Sequence, residues 1–415
     1  MAPKKPVQML VPDYMERFAC IGSACEDTCC SGWTVTIDKP TYKQYRNTKD
    51  KELTKLFDEH IKRNKTNPSD FNYARFVMKS DLSCPFLNEE KLCSIQLKLG
   101  EDFLSHTCKT YPRVTQTVDD VVELSATLSC PEAARLALLN PNKMQFNRNE
   151  EARDTKPPTG FSPSDPFYAD RLEKYFWELR IFSIQILQSR EYKLWERLVI
   201  LGVFYHGIQE SIEKGQLNEV PEYIMEYTKG VEQGAFDKVL NDIPSNEQIQ
   251  LTLLAQLLSI KRNSSGYQKR FIEQYLAFYK GVCPAEDKDI TTEAILNQYR
   301  FNFDQYYAPF MEKHEYILEN YLVNYVFKNL FPYDKDNNLF GSFMMLIIHY
   351  SLLRILLIGI AGYYKDQFTT DHVVKLISAF AKTVEHNNTF LKEVMDYTKS
   401  NGYHNLSNMM ILIKN

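Results

Sequence analysis

From Phe167 onward, apolar residues recur at the spacing of one helix face. Leu172, Phe176, Leu179, Ser183, Ile186 and Leu187 form such a stripe, with charged residues on the opposite side. The same pattern predicts helices over 191–214, 249–260, 267–280, 314–331, 339–364, 370–386 and 388–399. Ser245 followed by Gln248 reads as a capping box ahead of the second of these. Residues 339–364 are apolar apart from Ser342, His349, Ser351 and Arg354, a run long enough to cross a bilayer. An arginine near the middle is costly in lipid, and no basic cluster flanks either end, so the expectation is a core helix and no membrane span. His349 and Arg354 then lie inside protein, where the arginine needs partners.

The first 140 residues are patterned differently. Short strands are predicted at Trp33–Ile37 and Asp120–Ser125, and helices near 40–62 and 91–105. Pro131–Leu139 reads as a short helix with proline in its first turn and Cys130 at its N-terminus, where the dipole favours a thiolate. Asn140 to Pro166 is dense in proline and polar residues, which predicts a linker. The fold class expected is mostly α. A small irregular Cys-rich domain with minor β (1–140) precedes a linker (141–166) and an all-α domain (167–415).

Composition adds one asymmetry. Eight of nine cysteines fall between Cys20 and Cys130, and only Cys283 lies beyond. The start, Met-Ala-Pro-Lys-Lys-Pro-Val-Gln, leads into no apolar leader segment, so a cytoplasmic location is expected. A reducing compartment and a long chain both argue against a disulfide framework. Clustered thiols there bind metal or react. Net charge is −4 with pI near 6.1, so no basic footprint for nucleic acid is present. No Gly-x-Gly-x-x-Gly turn occurs, and a doubly wound nucleotide-binding sheet is not expected.

The candidate metal ligands are Cys20, Cys25, Cys29, Cys30, Cys84, Cys93, Cys108 and Cys130. Zinc favours two pairs of closely spaced ligands, whereas an iron–sulfur cluster tolerates the scattered spacing seen here; zinc stays the alternative. Radical-type Cys-x3-Cys-x2-Cys spacing is absent, since Cys25 and Cys29 supply only its first half. His106 is a further ligand candidate, Cys283 reads as a buried apolar side chain, and Glu26 and Asp27 either face solvent or tie the first loop.

The ordered motifs resemble a known family. They are Tyr14-Met15-Glu16-Arg17-Phe18 with Cys20-Ile21-Gly22, Cys25-Glu26-Asp27, Cys29-Cys30 and Gly32-Trp33; Cys84-Pro85-Phe86-Leu87; Cys108 with Thr110-Tyr111-Pro112-Arg113; Ser129-Cys130-Pro131-Glu132-Ala133; and the stretch from Leu318 to Pro332. Together they are similar to the bacterial flagellin lysine N-methyltransferases and, more distantly, to small Cys-rich zinc- or iron-chelating proteins. The resemblance implies a cytoplasmic enzyme that moves methyl groups from S-adenosylmethionine to flagellin lysines and carries a four-iron cluster on its N-terminal cysteines. The contrasting class is a non-enzymatic metal-chelating or electron-transfer protein whose helical domain binds a partner.

Lysine methylation requires an amine stripped of its proton and water, which apolar and aromatic walls promote. Tyr321 and Tyr325 lie one turn apart, as do Asn320 and Asn324 on the adjoining face, making these four the catalytic candidates; as core tyrosines and cross-linking asparagines they would be structural instead. Tyr111 and Arg113 are the cofactor-binding candidates. Arg113 either clamps a cofactor carboxylate or pairs with Glu123. The pocket is expected where the cysteine domain meets the helical one.

Overall fold

A computed structural model describes residues 5–66, 68–153, 160–264, 269–283, 291–333, 338–385 and 388–414. Helices dominate, and two small sheets occupy the N-terminal part, as the patterning predicts. The first sheet runs β5 (Arg113–Val118), β6 (Val121–Ala126), β1 (Lys5–Pro12), β7 (Phe146–Arg153); β1 is parallel to β6 and antiparallel to β7. The second runs β2 (Thr36–Ile37), β4 (Ala74–Phe76), β3 (Ile61–Arg63), all antiparallel.

The predicted linker is partly a strand. Phe146–Arg153 pairs along the whole of β1, while residues 154–159 of that stretch lie outside the described residues. Its residues Asn-Arg-Asn-Glu-Glu show no apolar alternation because β7 is an edge strand held through its main chain, with Asn147 donating to Glu16.

Among the described residues two large apolar cores result, with a small third cluster at Val118, Phe161 and Phe176. Val35, Ile37, Tyr45, Phe57, Phe76 and Phe86 close a small unit around the three-stranded sheet. The second core joins Met9 and Val11 of β1, Val122 and Ala126 of β6, and Ala133 to Leu138 to the helices that follow. The first sheet therefore packs as part of the helical body. The chemical reason is alternation: Met9 and Val11 point one way from β1 and are buried, so that face needs helices to cover it.

Leu339–Tyr364 is one helix at the centre, and it is long and apolar enough to cross a membrane. In its most apolar 18-residue stretch 94% of it is buried inside the fold, as expected of a core helix. It crosses the Lys269–Val282 helix at Gly281 and Gly359, where a Cβ on Gly281 would stand 1.8 Å from the Gly359 carbonyl oxygen. Arg354 donates to the carbonyls of Leu412 and Ile413, closing the C-terminus of the Leu406–Ile413 helix, and Ser351 donates to Leu412 as well. His349 points elsewhere, so the buried polar groups of this helix serve different partners. At the Glu247–Ser264 helix the predicted cap shifts by one residue: Asn246, not Ser245, accepts from the Ile249 amide at 3.0 Å. The predicted positions 267, 268 and 386 lie outside the described residues.

Candidate functional site

The Tyr316–Lys328 helix is the keel on which the sheet and the helical body meet. One face carries asparagines toward the sheet side. Asn320 donates to the carbonyls of Leu138 (3.2 Å) and Asn140 (2.9 Å). Asn324 accepts from the Tyr14 hydroxyl at 2.7 Å and donates to Ala126 O at 3.4 Å; the same hydroxyl accepts the Ala126 amide at 2.9 Å. Tyr14, Asn320 and Asn324 are each about 1% exposed, so the sequence's catalytic asparagines act here as cross-braces between distant segments.

The adjoining face carries the tyrosines into a buried polar chain. Tyr321 donates to Glu385 Oε1 at 2.9 Å and stands 3.2 Å from His349 Nδ1; Lys328 Nζ donates to Glu385 Oε2 at 2.7 Å. The Tyr321 proton is committed to the carboxylate, so His349 must present Nδ1–H to the phenol oxygen, leaving Nε2 as a buried acceptor without a partner among the described residues. Tyr325, partly buried, meets the His349 ring edge-on at 5.1 Å, and Phe380 meets it at 5.5 Å. Burial drives the imidazole down to about 4, partly opposed by Glu385, so it is neutral near pH 7. Burial would raise the Glu385 carboxyl, yet Lys328 and the hydrogen bonds hold it at about 2; at neutral pH, with His349 uncharged, Lys328 is the cation responsible.

Glu385 ends a π-helical segment, Ala381–Glu385, that extends the Thr370–Phe380 helix. Such wide turns re-aim side chains. Here the segment also presents Lys382, whose ammonium binds Asp27 Oδ2 (3.1 Å) and the Thr28 carbonyl (2.9 Å) in the first cysteine loop. Arg270 reaches Asp27 from the Lys269–Val282 helix at 3.3 Å, and Arg135 holds Glu26 at 2.6 Å. The loop Cys25–Cys30 is thus clamped at both acidic residues. These carboxylates tie the loop, which answers the question their sequence position raised.

The thiols divide into two sets. Cys30 shares hydrogen bonds with Cys29 and Cys84, and Cys93 and Cys108 lie close enough to interact with them electrostatically. Cys20, Cys25 and Cys130 form a second, looser set. All nine cysteines are free. Among the described residues, however, no three His, Cys, Asp or Glu side chains are drawn together as a ready ligand set. The donor chemistry suits a soft, thiophilic centre; the spacing is that of neighbouring neutral thiols. Donation of the Cys29 proton toward Cys30, and then burial, raise the Cys29 thiol, and burial does the same for Cys93 and Cys108. Cys130 does stand at the N-terminus of the Pro131–Leu138 helix, but burial outweighs the Glu132 and Ala133 amides and pushes it up to about 11, the reverse of the thiolate expected there. His106 begins the His106–Thr110 helix and accompanies no thiol group in a ligand set.

Tyr111 bonds Ser129 through its hydroxyl (3.2 Å) and packs on Trp33, whose Nε1 donates to the Cys29 carbonyl. It therefore buttresses the thiol layer. Arg113 does not pair with Glu123. Its guanidinium lies 5.2 Å from the Phe18 ring, and Glu123 is taken by Arg180, a doubly hydrogen-bonded pair in which both side chains are at most 2% exposed. Arg180 wins because it sits among Phe176, Trp177 and Phe327 on the buried face of the sheet.

A cysteine-bearing loop region locked by ion pairs onto a helical body with a buried Lys–Glu–Tyr–His chain defines the class: a mostly helical protein with a Cys-rich N-terminal part. Residues 180–412 match the model of the FliB lysine N-methylase C-terminal domain, and the chain belongs to the lysine N-methylase family. It is 24% identical over 397 residues to the Lysine-N-methylase of Salmonella typhimurium (strain LT2) and 23% identical to that of Salmonella choleraesuis (strain SC-B67), in each case over 94% of both chains. It is 38% identical over 147 residues to the flagellar biosynthetic protein FliU of Salmonella muenchen, covering 35% of this chain and 86% of that protein. No solved structure matches the chain at a significant level. The family resemblance read from the motifs is thereby borne out.

Lys328, Lys382, Glu385 and Arg270 escaped sequence reasoning, whereas His349 was expected inside the protein but without its partners. Each is a single charged or polar residue in a helix, and its partner lies 28 to 355 positions away in the chain. The interrupted polar face of the 370–386 pattern was the available signal.

Proposed function

We propose that this protein is a cytoplasmic, S-adenosylmethionine-dependent methyltransferase acting on lysines of flagellin, with an iron–sulfur cluster on its N-terminal cysteines. The observation that carries the reading is the match of residues 180–412 to the lysine N-methylase domain, because that half contains Lys328, His349, Lys382 and Glu385. The flagellar name of a 38% identical relative supports flagellin as the class of substrate. S-adenosylmethionine supplies the methyl as an electrophilic sulfonium group when bound.

The chain's own residues must then desolvate and deprotonate an ammonium and exclude water. We place this work at the junction of the first cysteine loop, the Ala381–Glu385 segment and the Tyr316–Lys328 helix. Supporting this, the junction gathers an ionised Glu385, the Lys328 ammonium and the Tyr321 and Tyr325 rings, which suit capture of a lysine ammonium; held at about 2, Glu385 orients that cation, and the base that takes its proton is a different group. Tyr325 is the partly open member of the four candidates, whereas Asn320, Tyr321 and Asn324 are positioning residues. Cys29, Cys30, Cys84, Cys93 and Cys108 are the residues among which we assign the four thiolates that would hold the cluster, with Cys20, Cys25 and Cys130 beside them; a bound cluster would supply thiolate-ligated iron there.

The test is anaerobic purification with iron and sulfide measured per chain, followed by incubation with methyl-labelled S-adenosylmethionine and purified flagellin. Iron and sulfide in the wild type, most of both lost in Cys30→Ser, and label on flagellin lysine are the expected results. A brown protein that transfers no label would favour the electron carrier.

A further inference from the structure

The outer face of the three-stranded sheet carries a groove of about 840 Å³ lined in part by Thr34, Thr36, Lys62, Arg63, Lys65 and Arg75. Its origin is the strand alternation. Ile37, Ala74 and Phe76 point into the small core, so Thr36, Arg75 and Lys62, which are direct cross-strand partners, form a row on the opposite face. Arg75 and Lys62 thus stand side by side as like charges, an arrangement that weakens a sheet. Among the described residues no carboxylate pairs with Lys62, Arg63, Lys65 or Arg75. The nearby acids are engaged elsewhere: Asp38 caps the Lys39–Arg46 helix and Asp70 binds Lys39. The chain as a whole is acidic, at −4, so this local cationic surface is not a by-product of composition.

We propose that this groove docks a carboxylate-rich segment of the protein substrate, an inference that rests on the reading of the protein as a methylase of a protein lysine. Charge complementarity selects an anion. Two further observations favour an acidic peptide. First, β3 is an edge strand paired only with β4; the His60 carbonyl and Asn64 amide are taken by Val77 and Tyr73, so the main-chain groups of Arg63 between them face the open edge. An extended peptide can pair there while its side chains reach the cations. Second, the lining contains no aromatic ring, and the neighbouring Tyr73 face is already covered by the Arg63 guanidinium at 3.6 Å, so a nucleic acid finds no base-stacking platform. That stacking also fixes the Arg63 head before any partner arrives, which lowers the ordering cost of binding.

The test uses the full chain, a fluorescent oligoglutamate peptide and, separately, a single-stranded oligonucleotide. Anisotropy should show peptide binding that weakens with added salt and falls at least about tenfold in Lys62→Glu/Arg75→Glu, as expected when like charges face the ligand. With purified flagellin, the same variant should raise KM and leave kcat unchanged. Peptide binding is read without methyl transfer, so a wild type that binds the peptide but methylates nothing would refute the functional reading and not the groove. Equal peptide binding by wild type and variant, or tighter binding of the oligonucleotide than of the peptide, would overturn the proposal. Arg75→Gln guards against misfolding as the explanation. Relief of the cation pair should hold or raise its melting temperature, and a clear drop would assign the pair to the fold and overturn the proposal equally.

Discussion

His349→Gln should make this protein less sensitive to acid, because a buried neutral imidazole opposes the folded state whenever the unfolded chain can take up a proton that the folded chain refuses. The folded imidazole is held at about 4 against an ordinary 6.5, chiefly by burial, with Glu385 partly opposing. The direction follows from linkage. Above pH 6.5 His349 is neutral in both states and adds no slope; from there down to about 4 only the unfolded chain binds the proton, so stability falls across that window and the loss is complete below it. A depression of this size corresponds to roughly 3 kcal/mol. Glutamine keeps an N–H donor for the Tyr321 oxygen and cannot titrate, so near neutrality it should cost about 1 kcal/mol, the scale of one altered buried hydrogen bond. The two urea-unfolding curves, followed by tryptophan fluorescence, should therefore cross. Wild type should be the more stable at about pH 7.5 and the variant by roughly 2 kcal/mol at about pH 4. Glu385 adds its own loss only at lower pH, as pH falls from the ordinary carboxylate range toward about 2, and it does so in both proteins. A constant difference between the two proteins across pH would refute the reasoning and mean that His349 exchanges its proton freely in the fold.

Other consequences can be checked by the same unfolding assay. Glu123→Gln should cost about 3–5 kcal/mol because it strands the buried Arg180 charge, whereas a loss under about 1 kcal/mol would mean the pair is wet. Gly281→Ala should destabilise by on the order of 1–3 kcal/mol or more, since its Cβ would collide with the Gly359 carbonyl; an unchanged midpoint would show that the two helices are not in contact there. Cys283→Ala should leave iron content per chain and methyl transfer unaltered, because that thiol is buried at the end of the Lys269–Val282 helix, remote in sequence from the thiol layer; loss of iron in this variant would place Cys283 in the metal site.

Elements whose signal is local were legible in the sequence. The central helix was bounded at Leu339 and Tyr364 because an uninterrupted apolar run says both helix and burial, and Pro131 at the first turn marked the start of its helix. Main-chain pairing was not legible where side chains take no part. β7 has an exposed, charged sequence and is a strand only because β1 lies beside it. The asparagine and tyrosine pairs of the Tyr316–Lys328 helix were correctly placed on adjoining faces, but what each face meets depends on segments 180 or more residues away on one side and on Glu385 on the other. Arg113 and Glu123 illustrate the same limit. They are close in sequence and on neighbouring strands, yet Arg180 arrives from a helix and satisfies the carboxylate where water is excluded. The cysteine motifs carried the family resemblance, and only the fold reveals that Asp27, inside them, is the handle by which Lys382 and Arg270 grip the loop.

The central claim is methyl transfer to protein lysine, and peptide mass spectrometry of flagellin tests it most directly. Purified unmethylated flagellin is incubated with S-adenosylmethionine and the anaerobically prepared protein, then digested and sequenced by fragmentation. The account predicts whole-methyl mass increments assigned to lysine side chains, dependent on both S-adenosylmethionine and the protein. Flagellin that stays unmodified in the presence of iron-loaded protein, or increments that fall on residues other than lysine, would contradict it.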